Sequence, residues 1–241
     1  ELEPLDYQAR EVNRSDLSGL NFNFGLIYKG KISSSLDLHS SFSYSPEYNL
    51  SSRNSRVFAS VIINPNSGLE LPVNEIDVDL ESVGLAKTDL TMPSKTNIGL
   101  GVGKDKKWFL GAEYTFLSSS VFSNDLINID NSRFEDSSII SVGGFYIPDY
   151  SSFSGVLKRL VYRAGLYSEK TGLNINGESI SEFGISFGLG IPSGGLFSNI
   201  NTTVEFGKRG TTDANLVEEN FVNFQLSLSL NDRWFIKRKY N

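Results

Sequence analysis

Ser186 stands inside Gly184-Ile185-Ser186-Phe187-Gly188, the spacing of a nucleophile elbow, in which a serine is lifted from a sheet and activated by an imidazole. The chain holds one histidine, His39, which would have to be that base. An elbow needs a sharp strand-to-helix turn. Ser186 instead lies in unbroken alternation, with Phe183, Ile185, Phe187, Leu189 and Ile191 set against Gly184, Gly188 and Gly190. The runs Gly99-Leu100-Gly101-Val102-Gly103 and Gly188-Leu189-Gly190 look like phosphate cradles, but a cradle opens a helix. Gly103 leads into Lys104-Asp105-Lys106-Lys107 and a further strand pattern. The absence of cysteine excludes disulfides, thiolate zinc sites and thiol catalysis, and a single histidine leaves no imidazole cluster. Lysine and arginine number 22 against 28 aspartates and glutamates, a net charge of −6, which argues against holding a nucleic-acid backbone. The expectation is a protein with no catalytic residue, no metal and no cofactor.

The elements that would position these residues follow from a period of two. Val222, Phe224, Leu226, Leu228 and Leu230 alternate with Asn223, Gln225, Ser227 and Ser229, and Leu20, Phe22, Phe24, Leu26 and Tyr28 alternate with Asn21, Asn23 and Gly25. Similar stretches run through 34–46, 95–103, 107–118, 137–147, 159–168 and 196–207. Side chains of a strand point to opposite faces in turn, so each segment has one apolar and one small or polar face. No stretch reaches the roughly 18 unbroken apolar residues of a membrane helix. The fold class is all-β.

Such ribbons build either a sandwich in water or a barrel in a membrane. A sandwich turns charged residues to solvent. Here the non-apolar face carries Gly, Ser, Asn and Thr, and the charges gather between strands. Strands of roughly 10–13 residues suit a tilted membrane crossing better than a globular sheet. Aromatic residues near the segment ends, among them Tyr28, Tyr44, Trp108, Tyr114, Tyr146, Tyr162 and Trp234, are placed as interfacial girdles are. The in-strand charges Asp37, Glu113, Arg163 and Glu205 share the small-residue face with His39. So do Phe109, Phe145 and Tyr167, which suit the path of an apolar ligand or packing against a plug. The reading is an antiparallel transmembrane β-barrel of the bacterial outer membrane, its outside against lipid and these eight residues facing its lumen.

Connections alternate between short and long. Short links are expected at Lys29 to Ser33, at Lys104 to Lys107 and at Pro192 to Gly195, and long ones at 48–94, 119–136, 169–178 and 208–217. By the barrel rule these are periplasmic turns and extracellular loops. Residues 1–16 read as a polar extracellular loop, and 48–94 as a long extracellular connection in which Arg56 to Ile63 and Glu75 to Leu80 pair as a hairpin. Phe153, Val156 and Leu157 suggest one amphipathic helical turn between Asp149 and Lys158. The count is about nine long strands in a single domain, 1–241. Bacterial barrels close with even numbers, so the expectation is the C-terminal portion of a larger barrel.

Two stretches carry a resemblance. The first is Leu90-Thr91-Met92-Pro93-Ser94-Lys95-Thr96-Asn97-Ile98-Gly99, followed by a short turn and Trp108-Phe109-Leu110-Gly111-Ala112-Glu113-Tyr114-Thr115-Phe116. The second is the closing part, with Tyr162-Arg163-Ala164-Gly165, Glu182-Phe183-Gly184-Ile185, Phe206-Gly207-Lys208-Arg209-Gly210-Thr211 and Asn231-Asp232-Arg233-Trp234-Phe235. Together they resemble the FadL-type outer-membrane transporters, in particular those of Bacteroidota. The resemblance implies a 14-stranded barrel with an N-terminal hatch, of which this chain matches the last strands. It also implies passive transport of small hydrophobic molecules, with lateral release into the membrane. The alternative is a non-transporting barrel that serves as subunit or scaffold of a larger outer-membrane complex of secretion or insertion machinery. The partners expected are outer-membrane lipids, with a hydrophobic small molecule in the first case and other outer-membrane proteins in the second.

Overall fold

The computed structural model describes residues 7–64, 67–122, 131–153, 155–192 and 197–230. The strands in chain order begin with β1 (Gln8–Ser18), β2 (Phe24–Ser33), β3 (Leu36–Ser45), β4 (Tyr48–Ile63), β5 (Glu70–Asp77), β6 (Lys87–Met92) and β7 (Lys95–Lys104). They continue with β8 (Trp108–Leu117), β9 (Ser132–Phe134), β10 (Ser137–Tyr146), β11 (Val161–Ile175), β12 (Glu178–Pro192), β13 (Phe197–Gly210) and β14 (Glu218–Leu230). One helical turn, α1 (Val156–Arg159), lies where the sequence suggests it. The fold is all-β and every strand pairing is antiparallel. The backbone divides into two compact units.

The first unit takes the described residues within 1–22, 47–93 and 121–130. Its sheet runs β1-β4-β5, with β6 also paired to β4. A hairpin of β4 and β5 pairs from Val57↔Asp77 to Ile63↔Glu70, so its second strand is Glu70–Asp77 and not the expected Glu75 to Leu80. The polar loop expected over residues 1–16 is corrected: Gln8–Ser18 is a strand that pairs along its whole length with Ser51–Val61. Its charged sequence hides the alternation, and the ladder with β4 supplies the strand. Cross-strand ion pairs reinforce it, Arg10 with Glu70 (3.2 Å) and Glu75 (2.9 Å), and Arg56 with Glu11 (3.3 Å).

The second unit is one sheet in which nine strands follow in the order β14-β13-β12-β11-β10-β8-β7-β3-β2, with β9 added on β11. This is the up-and-down meander of a barrel wall. Its apolar face is the exposed one: Phe187 is 56% accessible, Leu226 58% and Leu228 50%, whereas Glu182 on the opposite face is 7%. Among the described residues no large side chain is fully buried. A water-soluble sandwich would show the reverse, because apolar area leaves water wherever it can.

Two connections differ from the expectation. The link placed at Lys29 to Ser33 is strand, and β2 turns into β3 at Ser34 and Ser35. The long link placed at 169–178 is strand as well, because β11 and β12 continue to a two-residue turn at Asn176 (φ 54°) and Gly177 (φ 89°). Both residues have positive φ, the type I′ geometry that Asn-Gly favours and that matches the twist of a hairpin. The turn expected at 193–195 falls outside the described residues.

Candidate functional site on the polar face of the sheet

Cross-strand partners of an antiparallel pair share a face, so the register settles which residues can meet. Asp37 and His39 lie opposite Gly103 and Gly101, Gly103 opposite Phe109, and Phe109 opposite Phe145, which in turn faces Arg163. Glu113 faces Ser141, Ser141 faces Tyr167, and Ser186 faces Glu205. Asp37, His39, Phe109, Glu113, Phe145, Arg163, Tyr167 and Glu205 therefore all occupy one face. The structure resolves them into two groups with different chemistry.

The first group is aromatic. His39 meets the Phe109 ring edge-on at 5.5 Å between centroids, and Phe109 stacks on Phe145 at 6.1 Å. The Gly99–Gly103 run explains the space: a Cβ on Gly101 would collide with the Phe109 ring. These glycines are slots for an aromatic side chain, in keeping with their strand setting. A concavity of about 470 Å³ adjoins the cluster, lined on this face by His39, Phe109, Glu113, Ser141, Tyr167 and Ser186. Asp37 lies outside it and pairs with Lys29 at 3.6 Å.

The second group is ionic, and the sequence reading contains only part of it. The Tyr167 hydroxyl is within hydrogen-bond reach of two carboxylates, Glu182 at 2.5 Å and Glu205 at 2.8 Å. Arg209 Nε donates to the other oxygen of Glu182, its register partner. Arg163 donates to Asn201 at 2.7 Å. Gly184 leaves room for the Tyr167 ring that reaches across it. Glu182 and Arg209 were missed because the expected strands stopped short of them. Their signal was parity, since Glu182 is two residues before Gly184 and Arg209 four after Glu205. Ser186 sits in mid-strand between Gly165 and Glu205, without the turn a nucleophile elbow requires.

The opposite, apolar face holds Tyr28, Tyr44, Trp108, Tyr114, Tyr146 and Tyr162. Trp108, Tyr146 and Tyr162 are register neighbours in one row, and the Tyr162 hydroxyl donates to the Leu157 carbonyl at 3.1 Å. Trp234 lies outside the described residues.

Beyond the last register positions, Glu135 in the connection between β9 and β10 ties three strands together. It accepts hydrogen bonds from Ser179 (2.6 Å), Asn174 (2.9 Å) and Arg133 (2.9 Å). The Ser179 hydroxyl first, then Arg133, hold its carboxyl below the ordinary value of 4.5. A depressed carboxylate pKa contributes stability that is present above 4.5 and lost as pH falls through the folded value. Hydrogen-exchange protection at Leu173–Ile175, corrected for intrinsic rates, should therefore drop on acidification below that pH, and Glu135→Gln should flatten the dependence.

No curated protein matches this chain. Among solved structures it is similar to one described as the CymD monoaromatic hydrocarbon channel, at 13% identity and a TM-score of 0.44, over 78% of this chain and 46% of that one. The chain thus spans less than half the length of that structure. A family model, BamG, matches residues 1–241. With that match running from the first residue to the last, the chain belongs to the BamG family.

Proposed function

We propose that this chain forms barrel wall in the bacterial outer membrane and works as a non-catalytic structural subunit of the Bam complex to which its family's name points. Support for the membrane setting comes from the exposed apolar face, whose Phe, Leu and Tyr side chains suit hydrocarbon and an interface. The observation that carries the structural role is the ionic lattice of Tyr167, Glu182, Glu205 and Arg209 on the polar face. A greasy solute moving along that face would have to desolvate paired charges, at a cost of several kcal/mol for each ion. Cross-bracing of this kind serves a wall that must hold its shape beside other proteins.

The His39–Phe109–Phe145 cluster and its neighbouring concavity favour a second reading, FadL-type passage of a small hydrophobic molecule. The two readings separate in one preparation. Tagged full-length protein extracted from outer membranes in mild detergent should bring Bam subunits with it in near-stoichiometric amounts, and the purified protein should not accelerate uptake of a hydrophobic solute into vesicles. Purification as a lone barrel that accelerates such uptake, with the rate lost in Phe109→Ala, would overturn the structural role.

A further inference from the structure

On the apolar face of the second unit, a groove of about 850 Å³ crosses β8, β10, β11, β12 and β13, a volume on the scale of a ligand cleft. Its floor is Gly144 and Ala164, and its walls include Leu110, Phe187, Leu189 and Phe206. Small residues amid large ones make the depression: the register neighbours Leu110 and Phe187 and the same-face Tyr146 and Tyr162 are large, and these two carry a hydrogen and a methyl. At one end Tyr146 and Tyr162 line it.

That end is cationic. Lys107 Nζ lies 5.5 Å from the centre of the Tyr146 ring and donates to the Pro148 carbonyl at 2.5 Å, and Lys106 Nζ lies 5.1 Å from the Tyr150 ring. Lys104 is in the same turn, and Lys158 and Arg159 are on α1, whose Leu157 carbonyl holds the Tyr162 hydroxyl. Five cations thus stand against two carboxylates, Asp105 and Asp149. Among the described residues none of the five is ion-paired, and Arg159 Nε is buried without a hydrogen-bond partner.

An apolar groove, an aromatic end and unpaired cations beyond it reproduce, in order, the acyl chains, glycerol level and phosphate of a lipid. We propose that this groove is a seat for a phospholipid with a net anionic headgroup, held by its acyl chains over Ala164 and by its phosphate at Lys106 and Lys107. The assignment rests on the membrane reading above and adds to it a lipid preference.

Trp108, cross-strand neighbour of Tyr146, gives the test. Full-length protein is reconstituted with brominated phosphatidylglycerol or brominated phosphatidylcholine, and the Trp108 signal is taken as the difference from Trp108→Phe. Each interfacial lysine contributes a preference of roughly fivefold. Quenching by the phosphatidylglycerol should therefore reach its midpoint at a several-fold lower mole fraction. Raised salt should remove that advantage without any mutation. Lys106→Gln with Lys107→Gln should remove it too, and Ala164→Leu should weaken quenching by both lipids. Equal potency of the two lipids overturns the anionic seat and leaves the membrane reading standing. Quenching by neither overturns both.

Discussion

Phe42→Arg should keep the chain from reaching its folded membrane form, while Ser43→Arg, one residue along, should leave assembly intact. The two side chains leave β3 on opposite faces. Phe42 lies in register with Leu26 and Ile98 on the apolar face, and Ser43 with Gly25 and Asn97 on the polar face. Neither position is crowded, Phe42 being 44% accessible, so steric fit does not separate them. The surrounding medium does. An arginine facing hydrocarbon costs about 2–4 kcal/mol at mid-depth, a large share of the roughly 5–15 kcal/mol that holds a domain together. The same arginine beside Gly25 and Asn97 keeps its hydration. The measurement is the heat-modifiable folded band in outer-membrane fractions, expected to be lost for the first variant and retained for the second. Equal behaviour of the pair would mean that the two faces meet the same medium, and the barrel-wall reading would fail.

Arg209→Ala should be the most damaging single change on the polar face, and Glu182→Gln should rescue it. Glu182 is buried, and its oxygens are taken by Arg209 and by the Tyr167 hydroxyl, which also reaches Glu205. Without the guanidinium, two carboxylates share one phenol and no cation. Removing one partner of a fully buried pair costs about 3–5 kcal/mol. Arg209 itself is half-exposed, so the expected loss here is nearer 2 kcal/mol, with solvent screening taking up the difference. Adding Glu182→Gln removes the stranded charge but keeps an acceptor for Tyr167, and should recover more than half of the loss. A double-mutant cycle on the thermal or denaturant midpoint of the reconstituted protein checks it. Strict additivity of the two substitutions would show that the lattice does not act as a unit.

Much of this face was legible before any tertiary contact was known. Asp37, His39, Phe109, Glu113, Phe145, Arg163, Tyr167 and Glu205 could be assigned to one side because strand geometry alone dictates that odd and even side chains part company. What could not be read was which of them touch. Tyr167 and Glu205 are 38 residues apart in the chain and meet across β12, and the second carboxylate on the Tyr167 hydroxyl, Glu182, lay outside the strand expected there. Contact across strands depends on register, and register is set by turns and bulges: Asn176-Gly177, read as the tail of a long loop, is a tight hairpin, and the register shift between Lys170 and Asn174 then brings Glu182 level with Glu169.

Read alone, the residues establish that the chain is all-β, that its ribbons are two-faced, and that the face opposite the greasy one lacks the charges a watery sandwich would turn to solvent. These are consequences of a period of two and of side-chain polarity, both strictly local. The tertiary structure alone decided that the charged Gln8–Ser18 stretch is a strand, that Glu182 and Arg209 pair, and that Gly144 and Ala164 floor a groove. Each depends on a partner far along the chain: β4 supplies the ladder for β1, β13 brings the guanidinium to β12, and five strands must lie side by side before two small residues become a depression.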